Sequence, residues 1–124
     1  MSRIVCNTVE FVFRKEVATM NPGEAPVLKE DVFWKKIIAE EKPVYNSFIK
    51  QNDSGPTNEE TVTAKARKNN ITELLIQYCG FYTILRMTTD EGIFFVGNLE
   101  YPCSLEYTSD KVFENYSFKA ISPA

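Results

Sequence analysis

Histidine is missing altogether from the 124 residues. That absence removes the most frequent general base, the usual metal ligand and the only side chain whose unperturbed pKa lies near neutrality. Ser-His-Asp and Cys-His triads cannot be assembled from this chain alone, nor can histidine-containing zinc sites. Cysteine is scarce. Cys6, Cys79 and Cys103 are odd in number, far apart and without a C-x-x-C pair, which supports neither a disulfide scaffold nor a four-cysteine zinc site. Three free thiols in a reducing compartment, each a small apolar core residue, are expected. Long hydrophobic runs are missing too: no stretch approaches the ~18 apolar residues of a membrane span, and residues 1–6 carry no apolar signal core, so neither membrane insertion nor secretion is expected. Positive charge is in deficit. Fourteen Lys and Arg against 17 Asp and Glu leave a net charge of −3, whereas a duplex-binding surface needs a basic excess to release phosphate counterions.

What is present is a balanced globular composition, 44% apolar and 13% aromatic. A chain of this length hides roughly two thirds of its unfolded-state surface on folding, so residues 1–124 are expected to form one domain around a single core, without a metal or disulfide staple.

Residues 4–14 alternate as a strand, with Val5, Val9, Phe11 and Phe13 on one face and Asn7 interrupting the apolar side. Residues 16–30 contain Asn21-Pro22-Gly23 and Ala25-Pro26, which break regular structure, so an irregular arm is expected there. Loops longer than about 12–15 residues in a compact domain tend to be functional or mobile. The arm also carries Val17, Met20, Val27 and Leu28, apolar residues that a solvated loop would not need, and these four are interface candidates. From Asp31 to Glu41, a capping Asp31 and a stripe of Phe33, Trp34, Ile37 and Ile38 ending before Pro43 predict a short helix. Val44 to Lys50 can form a strand, and residues 51–56 a turn.

The alternation of Thr61 to Lys68 places Val62, Ala64 and Ala66 inward and Thr61, Thr63, Lys65 and Arg67 outward, so a strand is preferred over a helix that would lack an apolar stripe. Lys65 and Arg67 begin the one basic cluster. They suit a solvated face or a salt-bridging interface and are the remaining interface candidates. Ile71, Leu74, Leu75 and Tyr78 follow helical spacing and predict a second short helix. Beyond it, strands at Phe81–Thr88, Ile93–Val96, Cys103–Thr108 and Asn115–Ile121 suggest a four-stranded antiparallel meander. Gly97 and Pro102 are expected to shape the crossing between Val96 and Cys103, Gly97 in a bulge or at a positive φ and Pro102 where no ladder donor is required. The sum is an α+β, β-dominated domain: an antiparallel sandwich or partly open barrel of about six strands with two short helices.

Chemistry is sparse. No phosphate loop, G-x-G-x-x-G, G-x-S-x-G or H-E-x-x-H occurs, and the adjacent acids at 30–31, 40–41, 59–60 and 90–91 read as solvated pairs in turns or helix ends. Glu100 with Glu106 is the one separated acid pair worth naming. No cofactor, metal or catalytic residue is expected. The segment Gly92 to Tyr107, ending in residues 116–123, has the pattern strand, G-N-x-x-x-P, turn, aromatic strand, and resembles small uncharacterised proteins of phage and prophage structural modules in gut bacteria. The resemblance covers mainly the last third of the chain. It implies a non-enzymatic, virion- or tail-associated assembly component, made in the cytoplasm of the producing cell and joining other proteins or copies of itself. The alternative is a small-ligand or carbohydrate-binding β domain, in which Tyr82, Phe94, Tyr101 or Tyr107 would stack on the ligand. A concave aromatic pocket would favour that alternative, and a flat apolar patch or self-associating strand edge would favour assembly.

Overall fold

The computed structural model describes residues 2–21, 24–37, 39, 41–51, 53–67, 82–109 and 112–123. Among them the strands run β1 (Ser2–Val5), β2 (Thr8–Phe13), β3 (Val17–Thr19), β4 (Val27–Leu28), β5 (Lys35–Lys36), β6 (Val44–Lys50), β7 (Thr57–Arg67), β8 (Tyr82–Thr89), β9 (Gly92–Val96), β10 (Cys103–Ser109) and β11 (Phe113–Pro123). Nine form one antiparallel sheet in the order β1-β6-β7-β11-β10-β8-β2-β5 with β9 on β8, while β3 and β4 make a separate ladder.

The sheet is not closed by hydrogen bonds. Its first and second strands are nevertheless consecutive in the chain: β1 pairs with β6 near one end of the order, and β2 pairs with β8 near the other. Only Cys6 and Asn7 separate them. The kink is pinned by the Cys6 N–H donating to the Pro43 carbonyl at 2.8 Å and the Asn7 N–H donating to the Thr88 carbonyl at 2.7 Å. Asn7 therefore interrupts the apolar alternation where the segment changes partners.

Period-two patterning fills the interior. Val62, Ala64 and Ala66 of β7 face Tyr116, Phe118 and Ala120 of β11 and Leu105 of β10, with Val9 and Phe11 of β2 and Leu85 and Met87 of β8 completing the main core. Each fully buried side chain of Val, Leu, Phe or Met size contributes roughly 1.5–3 kcal/mol. Val12 and Ile84 point to the opposite side of β2 and β8, yet both are fully buried. Val17 lies over them, and Met20, Leu28, Val32, Trp34 and Leu99 pack around this second cluster. Because both of its faces are covered, β2 reads Phe11-Val12-Phe13 without a polar break.

The residues expected as an irregular arm thus carry short regular structure, a single 3-10 turn at Arg14–Glu16 followed by the ladder Val17↔Leu28 and Thr19↔Val27. The helix expected over Asp31–Glu41 is a correction. Asp31 adopts φ +62°, a left-handed conformation that Asp tolerates but a helix start does not use. Lys35 and Lys36 instead pair with Phe11 and Glu10, and the Ile37 N–H donates to the Val9 carbonyl. A helix this short is marginal by itself, whereas the open edge of β2 offers backbone hydrogen bonds. The helix expected at Ile71–Tyr78 lies outside the described residues, and among those described the 3-10 turn is the sole helical element. Among the described residues the fold is therefore β-dominated, with an antiparallel sheet that is not closed and without the helix expected at Asp31–Glu41.

The meander is corrected in its pairing. β10 returns to β8, through Cys103↔Thr83 and Ser104↔Tyr82, while β9 occupies the rest of that edge from Leu85 to Thr89. Residues 97–102 carry the chain from one partner position to the next. The Asn98 side-chain carbonyl accepts from the N–H groups of Glu100 and Tyr101, and the Asn98 N–H donates to the Tyr101 carbonyl, which makes the crossing a compact turn.

Candidate functional site

Gly97 enters that crossing at φ +83°, and Pro102 immediately precedes the first residue of β10. The six interface candidates are scattered. Val17 is buried, and Met20 and Leu28 pack against Val12 and Ile84 of the same chain, so of the four apolar arm residues Val27 alone stays exposed. The Lys65 ammonium sits 4.2 Å from the centre of the Phe113 ring. Arg67 pairs through its backbone with Phe113.

Two polar ties fasten the segment from Glu16 to Lys35 over β2 and β8. The Glu16 carboxylate takes the Lys35 ammonium at 2.8 Å and the Phe13 N–H at 2.9 Å. The Arg86 guanidinium binds Glu10 at 2.9 Å and lies 4.5 Å from the Trp34 ring centre, while Trp34 also meets Phe95.

A groove of about 430 Å³ crosses the outward face of β6, β7, β11 and β10. Thr63, Lys65, Glu106, Thr108, Asn115 and Ser117 line it, with Glu41 and Lys42 at its rim. Its breadth follows from small side chains in adjacent strands, and its charges balance. Glu106 belongs to this groove, but Glu100 lies exposed in the 97–102 crossing and does not line it, so the acid pair does not converge there.

A smaller crevice of about 280 Å³ opens on the inner side, lined by Ile4, Tyr45, Ser47, Glu60, Met87, Phe94 and Phe95. It draws on both β6-β7 and β8-β9. Here the Tyr45 hydroxyl donates to the Glu60 carboxylate at 2.7 Å. Burial, reinforced by the Glu60 carboxylate, pushes the Tyr45 phenol up to about 12 against a weaker opposing hydrogen bond from Ser47. Behind the crevice, the Cys6 thiol lies 3.7 Å from the Met87 sulfur, and burial raises its pKa. Burial likewise raises the Cys103 thiol, with Glu60 adding to the shift. Both are free cysteines, and Cys79 lies outside the described residues.

The aromatic residues considered for stacking do not assemble. Tyr82 is exposed with the Arg14 guanidinium 5.6 Å from its ring, Phe94 lines the crevice, Tyr101 sits in the crossing and Tyr107 neighbours Tyr116. Glu60 is the residue that sequence reading missed. Extending the alternation of β7 back from Val62 would have placed it on the inner face. Among the described residues no group of three or more acid or cysteine side chains is placed to hold a metal ion, and no helix is long and apolar enough to cross a membrane.

One strand edge completes the inventory. Among the described residues β9 is paired on one side only, with β8, and its Ile93 and Phe94 are 58% and 41% exposed. Comparison with protein-family models, curated proteins and solved structures finds no match in any of the three.

Proposed function

We propose that the chain is a non-enzymatic structural or assembly component that works through protein–protein contacts, with the open edge of β9 as the contacting element. The observation that carries this is the make-up of that edge. Proteins blunt exposed edges with charge, proline, bulges or covering segments, but Gly92-Ile93-Phe94-Phe95-Val96 contains neither charge nor proline. A second strand laid along it would gain backbone hydrogen bonds and cover Ile93. The resemblance to phage and prophage structural-module proteins includes these same residues, which favours a virion- or tail-associated subunit. Val17, Met20 and Leu28 cover the chain's own second core, so the contact is assigned to β9 rather than to the arm.

Self-association is the simplest form of such a contact, and it is tested with Ile93→Lys. Ile93 is exposed and lies on the face opposite the main core, so a lysine there leaves the interior intact. Light scattering should show the wild type associating as its concentration rises and Ile93→Lys remaining monomeric with an unchanged melting temperature. Amide exchange along β9 should slow in the associated wild type. A wild type that stays monomeric, with β9 amides exchanging equally fast at every concentration, would overturn the assignment. The rival class, a small-ligand or carbohydrate-binding β domain, has its support in the crevice at Glu60 rather than in any aromatic platform.

A further inference from the structure

Glu60 occupies an inward position of β7, opposite Ser47 of β6 and Ala120 of β11, in a row that continues into the apolar core. One oxygen of its half-buried carboxylate accepts the Tyr45 hydroxyl, a neutral donor. Lys35 pairs with Glu16 and Arg86 with Glu10, and among the described residues no lysine or arginine forms an ion pair with Glu60. A carboxylate has about four acceptor sites, so most of this one's capacity faces the crevice. The remaining lining is hydrocarbon and aromatic, from Ile4, Met87, Phe94 and Phe95, apart from the small hydroxyl side chain of Ser47.

A negative group set in an apolar wall repels anions and offers little to a sugar, which needs many polar contacts. It suits a cation with an alkyl body. The volume of about 280 Å³ falls just below the roughly 300 Å³ at which pockets for drug-sized ligands begin, so the occupant is small. We infer that the crevice at Glu60 is a binding site for an alkylammonium group: the ammonium on the Glu60 carboxylate, the methylenes against Ile4 and Met87, and the ring of Phe94 at the cation's side. The Tyr45 hydroxyl, which keeps its proton throughout the physiological range, holds the carboxylate in place from the other side. A free amine and the side chain of a partner's lysine share this chemistry. The inference does not rest on the β9 contact, because Ile93 lies on the other face of its strand.

Titration of the labelled full chain followed by amide NMR tests it, using pentylammonium chloride, Nα-acetyl-lysine methylamide, 1-pentanol and sodium pentanoate as probes. Pentylammonium should shift the amides of Tyr45, Glu60, Met87 and Phe94, with at least tenfold tighter binding than pentanol and no shifts there from pentanoate. Stronger shifts with the lysine derivative than with pentylammonium would assign the ammonium to a protein partner, and the reverse order to a free amine. Glu60→Gln, which keeps shape and removes charge, should weaken binding at least tenfold. Equal binding of pentanol and pentylammonium, or no shifts from either amine, would overturn the inference. If Glu60→Gln fails to fold, the comparison of pentanol with pentylammonium on the wild type decides alone.

Discussion

Gly97 is the position at which the backbone leaves least choice. Its φ of +83° is strained for any L side chain, and a Cβ there would lie 3.0 Å from the Cys103 sulfur and 3.2 Å from the Cys103 nitrogen. Gly97→Ala should therefore cost about 1–3 kcal/mol, read as a drop of several degrees in melting temperature. Thr83 should behave in the opposite sense. Its hydroxyl is buried with no hydrogen-bond partner, so Thr83→Val, which swaps the hydroxyl for a methyl, should leave urea-unfolding stability unchanged or raise it by about 1 kcal/mol. Tyr45 makes the chain alkali-sensitive. Its folded pKa of about 12 exceeds the usual phenol value of about 10, so the native state holds this proton more tightly than the unfolded chain does. Its contribution is complete below about pH 10 and is lost as pH rises through 12; circular dichroism against pH should show that loss, and Tyr45→Phe should flatten it. The turn chemistry of Gly97 was legible because a glycine between two apolar strands has few roles. Glu60 was not, because two adjacent acids look alike until the register of β7 sends Glu59 outward and Glu60 inward.

At the scale of elements, the 14–37 segment is a cover for the outer side of β2 and β8. Val17→Ala removes two buried methyl groups from beside Val12 and Ile84 and should cost about 2 kcal/mol in urea unfolding, from roughly 0.8 kcal/mol per group plus the cavity. The Lys35–Glu16 tie gives this cover an acid limit. Burial by itself would raise the Glu16 carboxyl, but hydrogen bonds from Lys35 and the Phe13 N–H, with the charges of Lys35 and Lys15, outweigh it and hold the folded value below the ordinary one. The tie is thus fully present above the unfolded carboxyl pKa, about 4.3, and is lost as pH falls through the folded value. Glu16→Gln should weaken that acid-side decline in unfolding curves between pH 3 and 7. The long strands were legible from alternation, as with Thr61, Val62, Thr63 and Ala64. The cover was not, since ladders of two or three residues leave no period to detect. The stripe of Phe33, Trp34 and Ile37 satisfied a helical pattern equally well, yet Phe33 is 78% exposed because pairing with β2 prevailed.

For the molecule as a whole, Cys6 and Cys103 are 0% exposed and act as reporters of global unfolding. Alkylation followed by peptide mapping should find both resistant in the native protein and reactive in denaturant, in step with loss of the fold; labelling of both at the denatured rate under native conditions would contradict this core. A β-dominated antiparallel architecture was readable from the number and spacing of alternating runs. The strand order was not, because partners distant in sequence are chosen by register rather than by local pattern. That order has a consequence for how the chain is made. Residues 2–13 hold both β1 and β2, and β2 must wait for β8, with Glu10 and Arg86 lying 76 positions apart. The run Phe11-Val12-Phe13 is therefore synthesised well before β8, and until that partner follows it is an unpaired, aggregation-prone strand. Folding is then expected on the slow, millisecond-to-second scale of non-local β topologies, with β2 among the last strands to be secured.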